Sequence, residues 1–206
     1  MSRPARWACA IIALVALASI GFQFRARWLE LGDQAGVLSV LWYLARYFTH
    51  LTNALVALVL GMAALSGRWP RPARLAAITV WIVAVGVVYH LLLAATHNPE
   101  GWEVWASIGE HSIVPAATLA LWLAAAPKAN LTLAHAAIWA LWPLAYAAYA
   151  ILRGALDGTY PYFFLNPVKS GPGLVAAYVA GLGAFFILSG TGLVALSRLL
   201  PQKVQR

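Results

Sequence analysis

Charge is scarce in this chain. Asp, Glu, Lys and Arg make up 10% of its 206 residues, against about 25% in an ordinary soluble domain, which excludes a conventional solvated surface. Cysteine is nearly absent. Cys9 stands alone inside an apolar block, so there is no internal disulfide, no CxxC pair and no cysteine-based zinc spacing. The sequence also has no HExxH segment, no internal repeat and no low-complexity tract. Acidic residues are few, six against fourteen basic ones, for a formal net charge of +8. In a soluble protein that excess would suggest nucleic acid. Here the basic residues lie between apolar blocks and form no stripe, so no nucleic-acid partner is expected. They read as topology signals facing anionic lipid.

What the sequence has in quantity is apolar residues, 63% of the total, gathered in long blocks. A membrane-crossing helix needs about 20 mostly apolar residues in a row. The blocks predict an all-α fold, a polytopic membrane helical bundle of six transmembrane helices in one domain, with spans at about 7–24, 46–65, 74–96, 107–126, 131–152 and 172–197. Little is left over for a separate extramembrane domain. The first block follows Arg3 and Arg6 and also fits a secretory signal peptide; its length and the spans after it favour a retained helix. The 37–45 stretch, with Trp42 and Tyr43, is predicted to lie at the interface. Proline and glycine mark the breaks, at Pro70 and Pro72, Pro99 and Gly101, Pro127, then Pro161, Pro167 and Pro172.

The same basic residues orient the bundle. Arg3, Arg6, Arg68, Arg71, Arg74, Lys128, Arg198, Lys203 and Arg206 fall on one side of a six-span chain, nine in all. The other side holds Arg25, Arg27, Arg153 and Lys169. The positive-inside rule then places both termini in the cytoplasm.

Polar residues within spans are costly and usually face the bundle interior, so their positions carry the most functional information. Arg46, Thr49, His50 and Asn53 follow an i, i+3, i+4, i+7 spacing and share one helix face. Ser107, His111 and Thr118 share another. Tyr89, His90 and His97 lie in the outer half of the third span, and Tyr146 and Tyr149 near the outer end of the fifth. These patches fall at one depth, the level of an outer-leaflet cavity. Each has a plainer reading as well: Arg46 snorkelling to headgroups, Thr49, Thr52 and Asn53 joining helices, His97 and His135 resting at the interface. Pro115 cannot donate to the carbonyl of His111, which must then find another donor or a water-lined cavity. The loop from Arg153 to Pro167 has aromatics beside two prolines; it is expected as an interfacial belt, with a lid over the cavity as the alternative.

Three segments carry a resemblance: Arg46-Tyr-Phe-Thr-His-Leu-Thr-Asn53, Gly109-Glu-His-Ser-Ile-Val-Pro115, and the 154–167 loop with Tyr160-Pro-Tyr-Phe-Phe. In this order, within a six-span pattern, they resemble the androgen-induced protein family of six-helix membrane proteins, and its bacterial branch in particular. The resemblance implies a threonine hydrolase that cleaves fatty acid esters of hydroxy fatty acids within the membrane, without a cofactor or metal. It places the nucleophile at Thr49 and the histidine at His111. Arg46, His50, Asn53, His90 and Tyr146 become candidates for substrate binding or the oxyanion, membrane lipid the expected partner, and the bacterial inner membrane the expected location. His50 departs from the aromatic residue that animal members carry there, and Thr52 is a rival nucleophile. Competing readings are a transporter or proton relay lined by Arg46, His50, His90, Glu110 and His111, and a haem protein using a histidine pair such as His90 and His111.

Overall fold

The structure, a computed structural model, describes residues 1–34 and 36–200. The charges at Lys203 and Arg206 lie outside the described residues. Within them the fold is helical: α1 (Arg3–Leu31), α2 (Val37–Leu44), α3 (Phe48–Ser66), α4 (Pro72–Val88), α5 (Trp102–Ile108), α6 (Val114–Ala124), α7 (Leu133–Trp139), α8 (Leu141–Asp157), α9 (Pro167–Ser170) and α10 (Pro172–Leu199). A π-turn over Tyr89–Leu93 prolongs α4, and a second, Gly109–Ile113, joins α5 to α6.

Five helical stretches are long and apolar enough to cross a membrane: Arg3–Gln34, Phe48–Ser66, Pro72–Leu93, Leu133–Asp157 and Pro172–Leu199. The fourth predicted span, 107–126, falls in a stretch that is helical from 102 to 124 but carries Glu103, Glu110 and His111 and is not among these five. Large apolar side chains such as Leu65, Leu91, Leu188 and Leu199 point outward. An exposed apolar surface of this kind is unfavourable in water and compatible with an integral membrane protein.

Two bounds differ from the sequence reading for evident reasons. The first helix runs to Leu31 rather than ending near residue 24, because the polar extension continues it: Arg27 pairs with Glu30 one turn on at 2.6 Å, and Gly32, at a φ of +54°, ends it. The expected single helix over 131–152 is instead α7 and α8, broken at Ala140. Pro143 has no N–H to offer the Trp139 carbonyl four residues back. The Trp81 indole of α4 donates to that carbonyl instead, at 2.7 Å.

Small residues set the tightest contacts. Cys9, Ala13 and Ala16, buried on one face of α1, meet α3, where Gly61 lies opposite Ala13. Gly109 sits against Ser19 of α1 with no room for a methyl group, and Gly190 of α10 lies against Ala136 of α7. Close backbone approach through small residues is how helices associate where lipid removes the hydrophobic drive. The core these contacts enclose, with Leu60, Leu75, Ile78, Ile82 and Trp122 fully buried, is apolar. At the end of the bundle that holds the chain's N-terminus, Arg6 bonds the last carbonyls of α3, and buried Lys128 bonds the Leu123 and Ala126 carbonyls at the end of α6. Cations at helix C-termini satisfy otherwise orphaned acceptors.

Candidate functional site

The site lies at the opposite end, above the apolar core. The 46–53 segment opens α3 after a turn at Ala45–Arg46. Arg46 is 8% exposed and holds Asp157 with both terminal nitrogens, at 2.9 and 2.8 Å, and the Thr159 carbonyl at 2.6 Å. Arg153 reaches the same carboxylate at 3.4 Å. A guanidinium this buried is kept charged by such a fork. The bond also ties the end of α8 and the following loop to the start of α3. That loop does not form the expected interfacial belt. Tyr160 packs on Gly154, Leu165 is fully buried, and Pro161 and Tyr162 line the cavity below. The aromatic, proline-rich segment cannot be a regular helix, and its pinned ends fold it inward.

Two spaces meet beneath it. The larger, about 370 Å³, is polar and is walled by Tyr47, Thr49, His50, Tyr89, His97, Glu103, Ser107, Glu110, His111 and Tyr162, among others. The smaller, about 50 Å³, is apolar and is formed by Phe48, Val85, Tyr146, Leu182, Phe186 and neighbours. Thr49, Tyr89, Leu93 and Tyr162 border both. Thr49 therefore stands on the seam between a polar and an apolar chamber. Thr52, the rival nucleophile, is fully buried and accepts from the Trp142 indole at 3.3 Å; it lines neither.

The two π-turns lie side by side and supply the opposite wall. Such turns, rare in helices, recur at functional sites. His111 stacks on the Tyr89 ring, with centroids 3.7 Å apart. Its Nδ1 lies 3.1 Å from the Ser107 carbonyl. A carbonyl can only accept, so Nδ1 carries the proton of the neutral ring and Nε2 keeps its lone pair. The His111 carbonyl, released by Pro115, lies against Gly86, where an added Cβ would come within 2.9 Å of it. Glu110, 1% exposed, pairs with His50 Nδ1 at 2.9 Å. A buried carboxylate needs such a partner.

Sequence reasoning grouped these residues only in part. Thr49, His50 and His111 share the polar chamber, and Tyr146 lines the apolar one with Thr49. His90 faces away: it is exposed, borders neither chamber, and bonds the Ser112 hydroxyl at 3.0 Å. Depth alone groups it with the others in the sequence, and the π-turn over Tyr89–Leu93 turns Tyr89 rather than His90 toward the cavity. Three proposed oxyanion donors are engaged elsewhere. Arg46 is bound to Asp157, the Tyr146 hydroxyl donates to the Arg46 carbonyl at 2.7 Å, and the Asn53 amide donates to the Thr49 and Glu110 carbonyls at 3.0 and 3.4 Å. Tyr162, which sequence reasoning did not single out, lies among Thr49, Tyr146 and the Phe48 backbone, and burial raises its pKa so that the phenol stays protonated. His97, expected at the interface, borders the polar chamber. Its position after α4 gave no periodic signal.

An all-helical bundle with an outward apolar surface and one mixed polar and apolar cavity is what the fold and the site define. Comparison with family models, with curated proteins and with solved structures finds no match for this chain.

Proposed function

We propose that the protein is an intramembrane hydrolase of lipid esters, of the fatty acid ester of hydroxy fatty acid type, with Thr49 as nucleophile and His111 as general base. In this reading it crosses a bacterial inner membrane six times with both termini cytoplasmic. The observation that carries the proposal is the position of Thr49 on the seam of the two chambers, with His111 on the polar wall. A lipid ester has the same division: an acyl chain that suits Phe48, Leu182 and Phe186, and a carbonyl and alkoxy group that suit the polar side.

A threonine hydroxyl attacks an ester only when a neighbour takes its proton. With Nδ1 held by the Ser107 carbonyl, the His111 Nε2 lone pair is the group for that task. The Thr49 oxygen adds to the ester carbonyl while its proton passes to Nε2. The imidazolium then protonates the departing alkoxide, leaving an acyl-threonine. Water, deprotonated by the same nitrogen, cleaves it to the acid and regenerates Thr49. The protonated Tyr162 hydroxyl beside Thr49 is the donor best placed to stabilise the oxyanion, in place of Arg46, Asn53 or Tyr146.

A transporter or proton-relay reading needs a path through the bundle. The apolar core below the chambers, filled by Leu60, Ile78, Ile82 and Trp122, favours the hydrolase instead. A fluorophosphonate probe tests it. The wild-type protein is expected to label covalently and to cleave a long-chain ester. Thr49→Ala and His111→Ala each lose both, while Thr52→Ala keeps labelling. Retained labelling in Thr49→Ala with loss in Thr52→Ala reassigns the nucleophile, and retained activity in both Thr49→Ala and His111→Ala removes the dyad.

A further inference from the structure

His111 is the inner end of a hydrogen-bonded file that reaches the surface of the bundle. Its Nδ1 lies 3.4 Å from the Ser107 hydroxyl. Ser107 Oγ lies 3.0 Å from the Tyr89 hydroxyl, Tyr89 3.0 Å from His97 Nδ1, and His97 Nε2 3.3 Å from Glu103. Ser107 and Tyr89 are buried and His111 is half-buried, while the side chains of His97 and Glu103 are 34% and 37% exposed. Nothing in a stable core requires five polar side chains in a row, and three of them, His111, His97 and Glu103, are among the few acidic or histidine side chains of the chain.

The two ends fix the direction of every bond in the file. An ionised Glu103 only accepts, so His97 Nε2 donates to it. The neutral ring then accepts at Nδ1, and the Tyr89 O–H donates there. The Tyr89 oxygen is left to accept from Ser107, whose own oxygen takes a share of the His111 Nδ1–H at 3.4 Å, the other share going to the Ser107 carbonyl at 3.1 Å. All bonds point outward with no break in sense, as a relay of protons by successive hops requires.

We propose that Ser107, Tyr89, His97 and Glu103 form a proton wire that carries the proton released at each turnover from His111 to the aqueous end of the bundle. This rests on the hydrolase reading for its purpose. Hydrolysis of an ester at neutral pH yields a carboxylate, an alcohol and one proton, and that proton is released in a chamber roofed by the loop that carries Tyr162. When His111 holds an added proton on Nε2, its Nδ1 proton passes to Ser107 Oγ. The Ser107 proton passes to Tyr89, the Tyr89 proton to His97 Nδ1, and the His97 Nε2 proton to Glu103, which yields it to water. One proton enters, one leaves, and no bond between heavy atoms changes. The file resets when the two hydroxyls rotate and each imidazole exchanges one ring proton with water, His111 losing its Nε2 proton and regaining one at Nδ1, His97 losing its Nδ1 proton and regaining one at Nε2, with no net change in protons. The charged and titratable groups of other elements that act on His111 are His50 with its Glu110, His97 and, from outside the chambers, His90. The Glu110–His50 pair is closed on itself and offers no second exit from His111.

Tyr89→Phe is the direct test, because it keeps the ring stacked on His111 and removes only the hydroxyl. On protein labelled with nitrogen-15 at histidine, with no ester present, exchange of the His111 Nδ1 hydrogen with water is expected to slow about tenfold or more in Tyr89→Phe. In single turnovers, proton release to a soluble indicator lags behind ester cleavage in that variant. His97→Ala shows the same lag, and added imidazole, which can occupy the half-exposed gap, restores prompt release. A purely structural role for His97 would not respond to imidazole. Unchanged exchange and prompt proton release in both variants overturn the wire. A wild-type protein that cleaves no ester overturns the hydrolase reading instead, and the exchange measurement then judges the wire alone.

Discussion

Trp81 compensates a defect that Pro143 creates. The proline frees the Trp139 carbonyl, and the Trp81 indole occupies it at 2.7 Å. Trp81→Phe keeps most of the packing but leaves that acceptor unpaired inside the bundle, a loss of about 1–3 kcal/mol. In Pro143→Ala the backbone N–H returns to the Trp139 carbonyl, so Trp81→Phe costs less in that background. A double-mutant cycle on thermal unfolding in detergent reads the difference, and equal costs in the two backgrounds refute the compensation. At this scale the sequence revealed some partners and hid others. The shared face of Thr49, His50 and Asn53 was legible because all three lie in the first turns of α3, whereas Arg46, read as part of that helix, sits in the turn before it. The partners of Arg46 and His50 were not: Asp157 and Glu110 lie 111 and 60 residues away along the chain. Glu110 adjoins His111, and neighbouring side chains diverge on a helix; its bond to His50 depends on a register between helices that one sequence does not carry.

At the scale of elements, the paired π-turns do most to shape the site. Each inserts an extra residue into a helical turn, and together they place Tyr89 against His111 while turning His90 outward. The sequence reading grouped His90 with the cavity residues by depth along the span, and depth does not say which way a side chain faces. The contact between the turns depends on Gly86, whose missing side chain admits the His111 carbonyl and Pro115. A methyl group there would come within 2.9 and 3.1 Å of them. One obstacle is backbone and the other a proline ring, and neither can rotate away. Gly86→Ala is therefore expected to destabilise the protein by about 1–3 kcal/mol and to reduce ester hydrolysis by displacing His111, whereas Gly192→Ala, where the added methyl meets nothing within 4 Å, changes neither. Thermal unfolding and ester turnover of the two variants, measured side by side, check this; a Gly86→Ala protein with wild-type stability and turnover would show that the turns are not held in contact as described. The loop over the site follows the same logic. Its aromatic and proline content excluded a helix, but the choice between belt and lid depended on the Arg46–Asp157 bond. Asp157→Asn weakens that bond, and cleavage of the 158–166 segment by added protease is expected to quicken, while an unchanged rate removes the pin.

For the whole molecule, the open matter is whether 102–124 crosses the membrane. That segment carries Glu110 and His111, and a charged group at mid-membrane costs about 2.5–3.5 kcal/mol on insertion scales. Both residues are provided for: Glu110 bonds His50, and His111 bonds Ser107 and stacks on Tyr89. The apolar Val114–Ala124 half, with Trp122 fully buried, packs against α4 and α1 as part of the core. With its two innermost ionisable groups, Glu110 and His111, paired inside the bundle, the segment can cross even though its composition is less apolar than that of the other five. The proposed six crossings would place Arg68 and Ala129 on one side and Glu100 on the other, and by the positive-inside rule the basic residues beside Arg68 make that side the expected cytoplasmic one. Single cysteines at these three exposed positions, in a Cys9→Ala background, separate the arrangements. On intact cells an impermeant thiol reagent is expected to label Glu100→Cys, and to reach Arg68→Cys and Ala129→Cys only after the membrane is opened. Labelling of Ala129→Cys together with Glu100→Cys means that 102–124 does not cross, and the polar chambers would then not lie within the bilayer. Labelling of Arg68→Cys and Ala129→Cys but not Glu100→Cys keeps six crossings and inverts them, so that the outlet at Glu103 opens to the cytoplasm.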